Sequence, residues 1–204
     1  MVMSIDDMVI NRDLITPDFV YRRRALFRDA SMIVLDANLS SATLRTIFGL
    51  AERYALPVCA DPTTANLAPR LLSHLAGLTL IAPNAAEAEV LCGQHVTDRE
   101  TALIAVQKLQ ALGIEIAVVT LGATGLVYAT SQETGHVPAI KCEVIDMTGA
   151  GDALTAALVF GLLNGFEVDE AARLGVSAAA LTLQCRETVC PALSLERLYD
   201  QMVL

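Results

Sequence analysis

The segment 146–164 holds the residues whose types and spacing are best suited to chemistry. Gly149 and Gly151 lie just before an apolar helical pattern, and the carboxylate of Asp152 falls in the first turn of that helix. Glycines allow backbone N–H groups to approach an anion closely, and the first turn of a helix leaves such donors unpaired. An anion bound there would lie beside a carboxylate able to accept a proton, which is what phosphoryl transfer to a hydroxyl requires.

A second interpretation of these residues involves no ligand. Asp152 could complement the dipole of the helix, and the two glycines could form a tight turn. A Gly-x-Gly before a helix is weak evidence by itself, so the choice depends on the neighbouring residues.

The neighbouring residues extend the turn to a pattern of six positions in a fixed frame. This pattern, Asp-x-Thr-Gly-Ala-Gly-Asp, resembles the C-terminal signature of the ribokinase-like (PfkB) family of sugar and nucleoside kinases. The resemblance implies that Asp152 is the general base and that the N–H groups of the Gly-Ala-Gly turn bind the transferred phosphoryl group. The matched residues are Asp146, Thr148, Gly149, Ala150, Gly151 and Asp152.

Asn84 and Glu87 stand three residues apart at a predicted helix start. The spacing alone favours a capping box, in which each side chain bonds the backbone N–H of the other residue. The pair also resembles the second family signature, Asn-x-x-Glu, which is associated with Mg²⁺ and phosphate. The resemblance therefore implies that both residues hold Mg²⁺, largely through water, as suits this ion.

A third segment, with Thr120, Gly122 and Gly125, resembles the Thr-Leu-Gly-x-x-Gly segment that holds the nucleotide in the family. Without the other motifs, an ordinary glycine-rich entry to a hairpin explains it equally well. The resemblance implies ATP and Mg²⁺ as cofactors, with Asp146 and Thr148 shaping the loop. It also suggests a monovalent cation such as K⁺, although the segment 185–190 departs from the family's Arg-x-Gly-Ala pattern.

The expected acceptor is a small-molecule sugar or nucleoside. The segments at 36–39, 60–62 and 179–193 look most like the pseudouridine-kinase branch. Leu67, however, stands where that branch is expected to carry Lys, so other sugars and nucleosides stay open.

Short apolar runs alternate with helical patterns from residue 31 onward, which predicts parallel strands joined by crossover helices. With the resemblance, the expected fold is α/β: a three-layer, Rossmann-like (ribokinase-like), mostly parallel sheet flanked by helices. A hairpin of 125–130 and 136–140 is expected at the sheet edge, and the apolar helices near 151–164 and 168–183 are expected to be buried. The other strands are predicted at 32–35, 57–60, 78–82 and 116–120, and the other helices at 42–54, 67–75, 85–91, 101–112 and 195–202.

Polar residues follow the predicted strands at the points where those strands end. Ligands of open parallel sheets bind at the carboxyl ends of the strands, so this set predicts a site rather than separate helix caps. Ser40 and Asp98, by contrast, are expected to be caps. The residues of the set are Asp36, Asn38, Asp61, Asn84 and Thr120.

The bulk composition limits the partners. A net charge of −9 argues against nucleic acid, and the longest strongly apolar stretch, Ala153 to Leu163, is too short to span a bilayer. We therefore expect no membrane partner and a cytoplasmic location. The five cysteines are expected to be reduced thiols.

The resemblance covers residues 1–204 as one ribokinase-like domain that is N-terminally truncated relative to the family. The family's N-terminal strands, its Gly-Gly sugar-binding segment and its β-lid, which often mediates homodimer formation, are therefore expected to be missing. A homodimer stays open among the partners. Two hypotheses follow: an ATP-dependent kinase that transfers the γ-phosphate to a sugar or nucleoside hydroxyl, or a non-catalytic remnant that binds nucleotide.

Overall fold

A six-stranded sheet forms the centre of the computed structural model, which describes residues 9–202. Four parallel strands lie side by side in chain order, and an antiparallel hairpin extends the sheet beyond the fourth. The prediction of an α/β fold with a hairpin at one edge is confirmed. The strands are β1 (Ile33–Asp36), β2 (Val58–Asp61), β3 (Leu80–Ile81), β4 (Ile116–Thr120), β5 (Leu126–Ala129) and β6 (Thr134–Val137).

Helices connect the parallel strands and follow the hairpin. The predicted helix at 67–75 is a 3-10 helix, Ala68–Gly77. None of the helices in residues 9–202 combines the length and apolar character that crossing a bilayer needs. The α-helices are α1 (Pro17–Arg22), α2 (Arg24–Arg28), α3 (Ser41–Tyr54), α4 (Ala85–Cys92), α5 (Arg99–Ala111), α6 (Ala150–Leu163), α7 (Val168–Leu183) and α8 (Leu195–Gln201), with short π and 3-10 turns at Ile10–Leu14 and Gly122–Thr124.

The strand β4 shows how the sheet divides the core into two layers. Successive side chains of a strand point to opposite faces. Ala117 and Val119 therefore join the apolar cluster that includes residues of α3 and α5, whereas Ile116 and Val118 join the cluster built with α6 and α7. Helices on both faces of the sheet give the three layers that the sequence predicts.

The helix α6 differs from its prediction, because it is not buried all round. Leu158 is fully buried, but Ala156 and Phe160 are exposed and Leu163 is 49% exposed. These three residues share one face of the helix. Within residues 9–202 the sheet and α7 cover the other face and leave this apolar one open.

Two of the cysteines also differ from their prediction. Cys185 and Cys190 form a disulfide, since the loop between α7 and α8 brings their Cα atoms to 5.6 Å. Cys59, Cys92 and Cys142 are free thiols, as predicted. Burial raises the pKa of the Cys59 thiol to about 12, so it has the character of a core residue.

Candidate active site

A cleft of about 760 Å³ opens at the carboxyl ends of the parallel strands. All five polar residues that follow the predicted strands line it, which confirms that they converge at one edge of the sheet. Glu87 and residues of the turn before α6 and of α6 itself also line the cleft. The polar and glycine lining consists of Asp36, Asn38, Asp61, Thr63, Asn84, Glu87, Thr120, Gly149, Gly151, Asp152 and Thr155.

The acidic residues at the ends of β1 and β2 are held by the turns that follow them. Asp36 and Asp61 are register partners in the parallel pair. The Asp36 carboxylate accepts the N–H of Asn38 at 2.9 Å, and the Asp61 carboxylate accepts the N–H of Thr63 at 2.6 Å. Aspartate commonly bonds the backbone two residues on in this way. Both carboxylates are therefore held at the carboxyl ends of β1 and β2, where they line the cleft.

The turn before α6 is shaped by Asp146, Thr148 and Gly149. Asp146 Oδ1 accepts the N–H and the hydroxyl of Thr148 at 2.8 and 2.7 Å, and these hydrogen bonds hold the pKa of Asp146 below its usual value. Gly149 has φ +85°, and a Cβ there would collide with the carbonyl oxygen of Thr188. Glycine is therefore required at this position both by its conformation and by a close neighbour.

The first turn of α6 presents unused backbone donors to the cleft. No side chain caps this helix, and the N–H groups of Gly149, Gly151 and Asp152 have no hydrogen-bond acceptor among residues 9–202. Ala150 N–H makes only a long bond of 3.4 Å to the carbonyl of Met147. The Asp152 side chain is exposed and lines the cleft beside these donors. Unpaired N–H groups at a helix N-terminus form an anion-binding site.

Negative charge dominates the cleft. Burial raises the pKa of Asp61, and the nearby charges of Asp152 and Asp36 raise it further. The pKa of Glu87 is also raised, first by burial and then by the charge of Asp61. The residues that line the cleft include no Lys or Arg. The acidic lining thus favours a cation beside any anion that the free N–H groups would bind.

Asn84 and Glu87 form the capping box that their spacing favours. Glu87 Oε2 accepts the N–H of Asn84 at 3.0 Å, and Asn84 Oδ1 accepts the N–H of Glu87 at 3.1 Å. A carboxylate offers about four lone-pair positions, so this bond leaves Glu87 able to face a hydrated ion. No cluster of three metal-ligating acidic, His or Cys residues occurs in the described chain. The donor set fits Mg²⁺, which keeps several waters and needs one or two protein carboxylates.

A smaller apolar pocket of about 240 Å³ lies beside the turn that precedes α6, next to the cleft. Thr120 and Gly151 line both the cleft and the pocket. Gly122 and Gly125 also line the pocket. Gly125 packs so tightly against the end of β6 that a Cβ there would meet the carbonyl oxygen of Val137. The site thus has a polar half and an apolar half joined at Gly151.

Residues 9–194 match the pfkB family of carbohydrate kinases. The chain belongs to this family. The chain is 31% identical over 196 residues to pseudouridine kinase from Escherichia coli (strain K12). It is 28% identical over 170 residues to ribokinase from Staphylococcus aureus (strain COL). These matches cover 96% and 83% of the chain, but 62% and 55% of the two relatives.

Solved structures confirm the ribokinase-like fold. A carbohydrate kinase from Agrobacterium tumefaciens is 27% identical, with a TM-score of 0.83 over 98% of the chain and 64% of that protein. Ribokinase from Arabidopsis thaliana, solved with ribose and ATP, has a TM-score of 0.80 at 22% identity, over 95% of the chain and 62% of that protein. The chain therefore spans less than two thirds of the length of these relatives.

The sequence motifs of the PfkB family identify only part of the apolar half of the site. The motif residues in its lining are Thr120, Gly122, Gly125, Ala150 and Gly151. The pocket walls come from the loop after β6 and from α7, where apolar residues have the same pattern as ordinary core. Only their place beside Gly151 distinguishes them. The missed residues are Ala139, Ile140, Met147, Leu154, Val176, Ala179, Ala180 and Leu183.

Proposed function

We propose that this chain carries the nucleotide-binding and catalytic part of a PfkB kinase that transfers the γ-phosphate of ATP to a hydroxyl of an uncharged sugar or nucleoside. The observation that carries the proposal is the junction at Gly151. Free backbone N–H groups and the exposed carboxylate of Asp152 lie there, between an apolar pocket and a polar cleft. ATP would place its base in the pocket and its phosphates over the turn.

Asp152 is the general base in this proposal. It accepts the proton of the acceptor hydroxyl as the hydroxyl oxygen forms a bond to the γ-phosphorus. The bond from that phosphorus to the bridging oxygen of ADP breaks, and ADP leaves. The N–H groups of Gly149, Ala150 and Gly151 bind the charge that the transferred group carries.

Asn84 and Glu87 are the residues proposed to hold Mg²⁺ through its water shell. Mg²⁺ would neutralise the phosphate charge that an acidic cleft otherwise repels. Asp146 and Thr148 are proposed to keep the turn in its binding shape. A monovalent cation such as K⁺ would sit near this turn, and replacing K⁺ by Na⁺ in the assay tests that part of the proposal.

The charge of the cleft supports an uncharged acceptor. Four carboxylates line it without a Lys or Arg, so a phosphorylated sugar would meet repulsion, whereas hydroxyl groups would find acceptors in Asp36, Asn38 and Asp61. Pseudouridine is the first candidate because the pseudouridine kinase of E. coli is 31% identical over 96% of the chain.

The test measures product formation from MgATP with pseudouridine, uridine, ribose and fructose 6-phosphate. We expect turnover with an uncharged acceptor and none with the sugar phosphate. Asp152→Asn should lower the rate by about 10²- to 10⁴-fold while MgATP binding persists. The matched control is Asp18→Asn, which removes an exposed carboxylate from the first turn of α1.

The alternative is a nucleotide-binding remnant without transferase activity. The observation that favours it is that the cleft proposed for the acceptor borders β1, an edge strand with no partner strand in residues 9–202. It predicts MgATP binding without product from any acceptor. Product formation at equal rates by Asp152→Asn and the unmodified chain would contradict the kinase proposal, and an absence of MgATP binding would contradict both.

A further inference from the structure

The Cys185–Cys190 disulfide closes a short loop between α7 and α8. Cys190 is 3% exposed, whereas Cys185 is half-buried and the residues between the two cysteines are exposed. Cys185 is therefore the more exposed residue of the two and the one that an attacking thiolate reaches first. Neither cysteine belongs to the residues assigned to ATP, Mg²⁺ or the acceptor.

This loop packs directly on the turn that carries the free N–H groups. The backbone of Thr188, inside the loop, lies so close to Gly149 that no Cβ would fit between them. Just before the loop, the carbonyl of Leu183 accepts the N–H of Ile145 at 2.8 Å and that of Asp146 at 3.4 Å. One end of the turn 145–149 therefore rests on the loop that the disulfide closes, and the other end rests on Leu183, two residues before Cys185.

We propose that the redox state of the Cys185–Cys190 pair controls nucleotide affinity at this turn. This inference depends on the proposed function, because it concerns the same phosphate site. In the oxidised state, the closed loop holds Thr188 against Gly149 and keeps the turn in its binding shape. In the reduced state, the loop gains conformations and the turn loses a fixed neighbour. Nucleotide binding must then order both segments, which makes the net binding free energy less favourable.

The redox step is a thiol–disulfide exchange. A thiolate of a dithiol reductant attacks the sulfur of Cys185, Cys190 leaves as a thiolate, and a mixed disulfide forms. The second thiol of the reductant then releases Cys185, so that two protein thiols are gained and the reductant becomes a disulfide. A low-molecular-weight disulfide reverses the reaction by the same steps.

The experiment compares the chain after treatment with oxidised glutathione and after treatment with dithiothreitol. Thiol titration in denaturant should count three thiols in the first state and five in the second. Isothermal titration should then give a MgATP Kd that is roughly 3- to 10-fold larger for the reduced chain, the scale expected for ordering a short segment. Cys142→Ser removes one of the free thiols and should keep this response.

The double variant Cys185→Ser with Cys190→Ser should bind MgATP like the reduced chain, with or without reductant. If it fails to fold, hydrogen exchange in the unmodified chain provides the same test, since the hydrogen-bonded N–H groups of Ile145, Asp146 and Thr148 should exchange faster after reduction. Five thiols after oxidation, or equal Kd values in the two states, would overturn this inference alone. An absence of MgATP binding in both states would overturn the proposed function and this inference with it.

Discussion

At the scale of single residues, Gly149 combines two constraints that can be measured separately. Its φ of +85° disfavours any side chain, and the carbonyl of Thr188 occupies the space of a Cβ. Gly165 has a similar φ of +77° but open space around its Cβ position. Gly165→Ala should therefore cost only the conformational term, about 1–2 kcal/mol in the free energy of unfolding.

Gly149→Ala should cost clearly more than Gly165→Ala, because the added methyl group must also displace the loop backbone. Urea unfolding of both variants provides the comparison. Equal losses would show that the loop yields freely and that its contact with the turn is weak. That outcome would also contradict the proposed control of nucleotide affinity by the disulfide, which depends on the contact between Thr188 and Gly149.

A second residue-scale prediction concerns pH. The pKa of Asp61 is raised from its ordinary value of 3.8 by burial and by the charges of Asp152 and Asp36. The folded chain thus holds this proton more tightly than the unfolded chain does. The contribution of Asp61 to stability is therefore fully present below about pH 3.8 and is lost as the pH rises through the raised pKa.

Asp61→Asn removes this titration. The quantity to follow is the difference in the free energy of unfolding, unmodified chain minus variant. For Asp61→Asn this difference should fall as the pH rises above 3.8. Asp146 provides a comparison of opposite sign, because its pKa is lowered by hydrogen bonds from Thr148. The same difference for Asp146→Asn should fall as the pH drops below about 3.8. A rising difference for Asp61→Asn would mean that its carboxylate is stabilised in the folded chain.

At the scale of elements, α4 tests whether Asn84 acts only as a cap. Asn84→Ala should cost about 1 kcal/mol through the lost cap, as should Asp98→Ala at the start of α5. Asn84→Ser keeps a capping oxygen and should keep the stability. If Asn84 also orders the Mg²⁺ shell, Asn84→Ser should raise the Mg²⁺ concentration needed for half-maximal ATP binding, and Asp98→Ala should not. Unchanged Mg²⁺ dependence in Asn84→Ser would leave Asn84 a cap alone.

The elements also show what could be predicted from the sequence. The strand β4 was predicted with its exact bounds, because an apolar β-branched run between a helix and a glycine is unambiguous. The strand β6 was predicted at 136–140 but lies at Thr134–Val137, since Gly135 packs on the Tyr128 ring instead of forming a turn. Contacts of this kind depend on the partner strand and leave no local pattern.

The candidate site also has features that the sequence predicts and features that it does not. Polar residues at strand ends were predicted to converge, because parallel topology places those ends at one edge, and they do line one cleft. The apolar pocket and the disulfide were not predicted. The pocket residues share the pattern of core residues, and the pairing of Cys185 with Cys190 depends on how the loop after α7 folds back.

At the scale of the whole molecule, the two halves of the site are bordered by different elements. The pocket that would take the base is built from β4, the loop after β6, α6 and α7, all within the described residues. The cleft opens toward β1, whose outer edge has no partner strand in residues 9–202 and whose Val34 is 58% exposed. The exposed face of α6 borders the same opening through Ala156.

This asymmetry predicts that the chain binds MgATP without any further polypeptide, because the groups proposed to bind the base and phosphates are already in place. At a MgATP concentration of 100 times Kd, binding should add about 2.7 kcal/mol to the free energy of unfolding. For a chain of this size, that corresponds to a Tm increase of roughly 5–10 °C. Asp152→Asn should show the same increase, since Asp152 acts on the acceptor, whereas Gly151→Ala should reduce it, because its methyl group would project into the open space where the two halves meet. A Tm that MgATP leaves unchanged, measured on the oxidised chain, would mean that the pocket and the N–H groups do not form a nucleotide site unaided.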